Sequence, residues 1–180
     1  TSVNINDRPS AFRYPRGNGV GITLPGIDET LEIGKGKVIT EGKQAAILSF
    51  GGRLQECLKA FEVLSSKGIK VTIVDARFAK PLDEKLIMEI AANHEVVVSI
   101  EEGSVGGFGS HVMQLLSNRG VFDKGLKFRA MILPDQFIDQ DDPKKMYEKA
   151  GLDSDSIVGT IENALNSNVV IAQNKNKNSN

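Results

Sequence analysis

Short apolar blocks rich in β-branched residues alternate along this chain with segments of helical spacing. The blocks fall at residues 45–50, 71–74 and 96–100, and apolar residues recur at helical spacing over 54–64 and 82–90. Short, nearly continuous apolar blocks are typical of buried parallel strands, and strand–helix–strand crossovers cover both faces of such a sheet. We therefore predict an α/β fold, with an open, mostly parallel twisted sheet and helices on both faces.

The rest of the chain extends this pattern. Residues 128–133 form a further apolar block before Pro134, after a predicted helix from about 109 to 117. The alternation over 31–39 is compatible with an edge strand, and the spacing over 144–149 and 154–165 predicts two short helices. Asp153 is the predicted N-cap of the second of these helices.

Composition excludes several classes of function. With 22 basic and 23 acidic residues the net charge is -1, which argues against a nucleic-acid surface or a polybasic membrane patch. One cysteine, Cys57, excludes an internal disulfide, and two histidines leave few ligands for a structural zinc site. No apolar stretch reaches the roughly 20 residues that span a bilayer. Since the chain starts at Thr1 without a signal pattern, we expect this start to be a cut within a longer protein.

An arginine-bearing turn lies near the start of the chain. Arg13 and Arg16 are three residues apart in FRYPRGNG (12–19), where Pro15 fixes the backbone and glycines permit close approach of a ligand. Guanidinium groups suit a phosphate or carboxylate because they donate parallel hydrogen bonds. Spacing alone favours the alternative, an interdomain turn whose arginine is paired with a neighbouring domain.

A glycine-rich turn, EEGSVGGFGSH (101–111), lies between a predicted strand and a predicted helix. A helix N-terminus in this position can hold an anion, yet the string matches neither a dinucleotide-binding nor a P-loop pattern. We favour a structural role, in which the glycines let the helix pack closely on the sheet. Glu101 and Glu102 are neighbours in a strand and point to opposite faces, so they cannot serve one substrate together.

Other polar residues near the predicted strand ends have structural interpretations. Asp75 and Arg77 follow a strand, where they can contribute to a site or form an ion pair, and we favour the ion pair. His111 lies at a helix start, and His94 is predicted to be a surface or capping residue. Neither histidine has a recognisable nucleophilic partner in the sequence.

Several strings, in order, resemble successive motifs of the 1-deoxy-D-xylulose-5-phosphate synthase family, and most closely its plant, plastid-type members. They extend over nearly the whole chain, to about Leu165, and comprise DRPSAFRYPRGNG (7–19), DARFAKPLD (75–83), HEV (94–96), EEGSVGGFGS (101–110) and LPDQFI (133–138). One departure is Gln140-Asp141, where plant-type members usually have His-Gly. The resemblance therefore supports no role for that loop.

The resemblance implies the architecture of the transketolase-like thiamine enzymes. Residues 1–33 would be the end of the pyrimidine-binding domain and a linker, 34–166 the carboxy-terminal α/β domain, and 167–180 a flexible tail. The implied reaction condenses pyruvate with D-glyceraldehyde 3-phosphate to 1-deoxy-D-xylulose 5-phosphate and CO2, in isoprenoid precursor synthesis. The resemblance further implies thiamine diphosphate and Mg2+ in a full-length homodimer, located in the plastid stroma or, alternatively, a bacterial cytoplasm.

By motif match, Arg16 corresponds to the arginine that holds the substrate phosphate, with Arg13 as a second candidate. The family's Gly-Asp-Gly motif, its cofactor-contacting glutamate and its active-site histidine pair are not found in these residues. We therefore expect no catalytic, cofactor or metal residues here, and no thiamine diphosphate binding or activity by this segment alone. Two alternatives remain: a non-catalytic dimerisation or interaction domain, or the same domain of a transketolase or a 2-oxoacid dehydrogenase β subunit.

Overall fold

A five-stranded sheet forms the centre of the domain in the computed structural model, which describes residues 1–15, 19 and 21–167. Along the sheet the order is β1-β3-β2-β4-β5. Strands β2 to β5 are parallel, and β1 pairs with β3 in the antiparallel direction at one edge. The predicted α/β fold with an open, mostly parallel sheet is confirmed. The strands are β1 (Lys37–Thr40), β2 (Ala45–Phe50), β3 (Val71–Asp75), β4 (Val96–Glu101) and β5 (Lys127–Met131).

Helices cover both faces of this sheet, as the apolar spacing predicts. On one face, buried residues of α1 and α5 pack against β2 to β4, and Tyr147 of α4 lies at the margin of this cluster. On the other face α2 and α3 pack against the same three strands. The helices are α1 (Leu54–Ser66), α2 (Glu84–Asn93), α3 (Phe108–Asn118), α4 (Pro143–Lys149) and α5 (Ser154–Asn166).

Aspartate side chains fix the starts of three helices. Asp153 Oδ1 accepts a hydrogen bond from Ser156 N at 3.1 Å, as predicted, and Asp83 and Asp142 cap α2 and α4 in the same way. Such a cap satisfies a backbone N–H that has no partner within the helix, and typically contributes about 1 kcal/mol. These caps set where each helix begins relative to the sheet.

Two strand predictions need correction. The last strand ends at Met131 rather than at residue 133. Leu133 is not paired in the sheet, because its N–H donates to the Gly103 carbonyl oxygen at 2.8 Å in a contact between two loops. In the 31–39 stretch only the end becomes strand β1, since Gly34 has a φ of 74°, which interrupts extended backbone. The edge strand is therefore real but shorter than the alternation indicates.

Candidate functional site

The central strands β2 and β4 lie side by side, yet the chain leaves them toward opposite faces. From β2 it enters α1, and from β4 it enters α3. In open α/β sheets the crevice beside such a crossover, at the ends of the parallel strands, is the usual ligand site. We call this side of the sheet the carboxyl edge. Its turns are residues 51–53 after β2 and 102–107 after β4.

Glu101, the last residue of β4, occupies the start of α3. Its side chain is buried, with 3% of the residue exposed. Its Oε2 accepts from Phe108 N at 3.0 Å, and its Oε1 accepts from Gly109 N at 2.8 Å. A carboxylate is stabilised there because the first N–H groups of a helix lack partners and carry partial positive charge. The glycine-rich turn thus binds a carboxylate, and this carboxylate is the side chain of Glu101.

Two glycines make this arrangement possible. A Cβ at Gly107 would collide with the Glu101 carboxylate, and one at Gly109 would lie 2.7 Å from Ser99 Oγ. Both contacts would be shorter than 3.0 Å, so Glu101 or Ser99 would have to move if either position carried a side chain; glycine therefore lets the first turn of α3 approach β4 with these contacts intact. The favoured structural role of the glycines is supported, together with a carboxylate contact that the spacing did not predict.

Glu102 points to the opposite face and binds Arg53. Arg53 Nε donates to Glu102 Oε1 at 2.7 Å, and the guanidinium carbon lies 3.6 Å from the ring centre of Tyr147. Burial, with the charge of Glu102 as the next cause, raises the pKa of Tyr147. This cluster joins the turn after β2, the end of β4 and helix α4. The prediction that Glu101 and Glu102 face opposite sides is confirmed.

Three further candidates, Asp75, Arg77 and His94, have partners within the chain. Arg77 Nε lies 3.4 Å from Asp75 Oδ2, so the favoured ion pair is present, and Arg77 has a φ of 58°. His94 ends α2, where its Nδ1 lies 2.8 Å from Ile90 O and its Nε2 lies 2.8 Å from Thr72 Oγ1. The capping role predicted for His94 is confirmed. His111 lies half-buried in the first turns of α3.

Neither a nucleophile nor a metal centre is visible in the part of the chain that the structure describes. Burial raises the pKa of the Cys57 thiol to about 12, so this thiol stays protonated at neutral pH. The described residues contain no group of three or more His, Cys, Asp or Glu side chains that could hold a metal ion. No described helix has the length and apolar character needed to cross a membrane.

Residues 12–15 of the arginine-bearing turn are exposed. Arg13 is exposed, and its neighbours Phe12 and Tyr14 are 72% and 80% exposed. Arg16 lies outside the described residues, as do residues 168–180 of the predicted tail. The phosphate-binding role of Arg16 and the nature of the tail therefore remain predictions.

Taken together, the crossover topology and the two helical layers define a doubly wound α/β domain. Residues 34–157 match the model of the transketolase C-terminal domain. The chain belongs to this family, which is part of the thiamine-dependent enzymes.

Solved structures agree with this family. A chain described as "Split gene transketolase, inactive beta4 tetramer" is 30% identical and superposes with a TM-score of 0.70. The match covers 80% of this chain and 46% of that one. The present chain thus spans about half the length of the transketolase chain that it matches.

Proposed function

We propose that this chain is the carboxy-terminal part of a thiamine-diphosphate-dependent transferase that condenses pyruvate with D-glyceraldehyde 3-phosphate to 1-deoxy-D-xylulose 5-phosphate and CO2. The observation that carries this choice is the string RYPRGN at 13–18. It precedes residue 34, where the family match begins, so it is independent of that match. The family alone is equally compatible with a transketolase.

Arg16 is the residue proposed to bind substrate, with Arg13 as a second candidate. A guanidinium can donate two parallel hydrogen bonds to the phosphate of D-glyceraldehyde 3-phosphate and stays charged at any working pH. Pro15 restricts the backbone between the two arginines. In this proposal thiamine diphosphate and Mg2+ are held by other parts of the full-length enzyme, where they would carry the acyl transfer.

A second role concerns the α/β domain itself. Its conspicuous carboxyl-edge charges bind one another, as the Arg53–Glu102 and Asp75–Arg77 pairs show, which favours an architectural rather than a catalytic role. The similar transketolase chain is described as a tetramer. We propose that this domain contributes to a homodimer of the full-length enzyme, in a plastid stroma or a bacterial cytoplasm. No contact with nucleic acid or membrane is part of the proposal.

An assay of the full-length enzyme with alternative substrates tests the reaction. Pyruvate with D-glyceraldehyde 3-phosphate should give CO2 and a five-carbon ketose phosphate in equal amounts. Neither a ketose-phosphate donor without pyruvate nor pyruvate alone should turn over at a comparable rate. Efficient transfer from a ketose phosphate would identify a transketolase and contradict the proposal, and CO2 release that does not depend on the aldose phosphate would favour a 2-oxoacid dehydrogenase.

A further inference from the structure

The buried carboxylate of Glu101 lacks a cationic partner among the described residues. Its neighbour Glu102 has Arg53, whereas Glu101 is held by the N–H groups of Phe108 and Gly109. A buried carboxylate without a counter-ion is expensive unless hydrogen bonds and dipoles compensate it. The first turn of α3 supplies both the hydrogen bonds and the dipole, so it binds the Glu101 carboxylate as it could bind a free carboxylate ligand.

A second polar group points to the same place. Ser99 lies two residues before Glu101 on the same face of β4, is 1% exposed, and its Oγ has no hydrogen-bond partner among the described residues. Its Oγ lies against Gly109, whose N–H binds the carboxylate. Buried hydroxyls are normally paired, so an unpaired one beside an anion-binding turn indicates unused capacity to donate to an anion.

Glu101 itself fills the space at this turn, since a Cβ at Gly107 would already collide with its carboxylate. A small cavity lies nearby behind Phe108, lined also by Leu48 and Ala76 but not by Glu101, Ser99 or Gly109, and it has a volume of about 10 Å³. That is about the size of one water molecule and far below the roughly 300 Å³ of small-molecule sites. On the other face, Arg53, Glu102 and Tyr147 fill the corresponding space with their own contacts.

We propose that the first turn of α3 is a carboxylate-binding site and that Glu101 is its built-in ligand. In the wild-type chain Glu101 therefore blocks small anions from the crossover, which is where other doubly wound domains bind their ligands. Removing the end of the Glu101 side chain should open the site. Glu101→Ala deletes one methylene and the carboxylate, a fragment that matches acetate, and the Ser99 hydroxyl would be an additional donor to that anion.

Chemical rescue of stability tests the proposal. The thermal midpoint of the full 180-residue chain is measured for wild type, Glu101→Ala and Glu101→Gln at pH 7, with acetate replacing chloride at constant ionic strength. The midpoint of Glu101→Ala should lie below that of wild type and rise by about 3–5 °C once acetate exceeds its Kd about tenfold. Wild type and Glu101→Gln, whose side chains fill the space, should not respond to acetate.

Acetamide is the matched control, because it has the shape of acetate without its charge. It should leave Glu101→Ala unchanged. An equal effect of acetate on wild type, or no effect of acetate on Glu101→Ala, would overturn the proposal. Should Glu101→Ala fail to fold in chloride, refolding is compared in acetate and in acetamide. Recovery in acetate alone supports the site, while failure in both solutions with a folded Glu101→Gln contradicts it.

Discussion

The arm at residues 1–33 and the α/β domain that follows it differ in the solvent exposure of their apolar residues. In the arm Phe12, Tyr14 and Ile27 are 72%, 80% and 100% exposed, whereas in the domain Ile47 and Phe108 are 0% and 1% exposed. The domain buries its own sheet on both faces, and two of its charged pairs, Arg53–Glu102 and Asp75–Arg77, lie at the carboxyl edge. The described aromatic side chains of the arm do not join this core. The contrast supports a division in which the domain folds around its own core, while the role proposed for the arm is to carry Arg16.

The largest effect is expected from a matched pair of phenylalanine substitutions. Phe108→Ala removes a fully buried ring that stacks on Phe50 with centroids 5.0 Å apart, and should lower the free energy of unfolding by about 3–5 kcal/mol. Phe12→Ala, on the arm, should change it by less than about 0.5 kcal/mol. Urea unfolding of both variants measures the difference. Similar losses for the two variants would show that the arm belongs to the folded core.

An intermediate effect is expected at the Arg53 cluster. Arg53→Ala leaves Glu102 without its partner and uncovers the ring of Tyr147, and should cost about 2 kcal/mol. Arg53→Lys keeps the charge but loses the planar stacking, so it should recover about half of that loss. Urea midpoints at low and high salt measure both variants. If alanine and lysine destabilise equally, charge plays no part in this contact.

The smallest effect is expected from deleting the arm. A chain beginning at Gly34 keeps the buried Gly34, the Lys35–Asp83 pair and the whole sheet. Its thermal midpoint should therefore stay within about 2 °C of the longer chain, because little buried surface is lost. This deletion also tests the proposed boundary between residues 33 and 34. Loss of a cooperative transition would place part of the arm within the domain.

Most of the fold could be predicted because its signals are local. The block at 45–50 is apolar except for Ser49 and forms β2 with those same limits, and the helical spacing before Gly68 corresponds to α1. Asp153 caps α5 by a hydrogen bond to a residue three positions away. Strand ends were less predictable, because the end of β5 depends on a contact between Leu133 and the distant Gly103.

The candidate site was harder to predict because its contacts join residues far apart in sequence. Arg53 binds Glu102 and stacks on Tyr147, and no spacing indicates that these three residues meet. The place of Glu101 could have been inferred from signals already in the sequence. A carboxylate at a strand end, followed by a glycine turn and a helix start, can reach back to that helix.

Arg16→Ala in the full-length enzyme tests whether binding of the substrate phosphate depends on the arm, as proposed. The measurement is kcat/KM for D-glyceraldehyde 3-phosphate and, separately, for unphosphorylated D-glyceraldehyde. Arg8→Ala is the control, because Arg8 lies on the same arm and pairs with Asp7. Loss of the charged hydrogen bonds should lower kcat/KM for the phosphorylated substrate by about 10- to 100-fold.

Arg16→Ala should leave kcat/KM for unphosphorylated D-glyceraldehyde nearly unchanged, and Arg8→Ala should behave as wild type with both substrates. Equal kcat/KM values for D-glyceraldehyde 3-phosphate in wild type and Arg16→Ala would contradict the proposed role of Arg16.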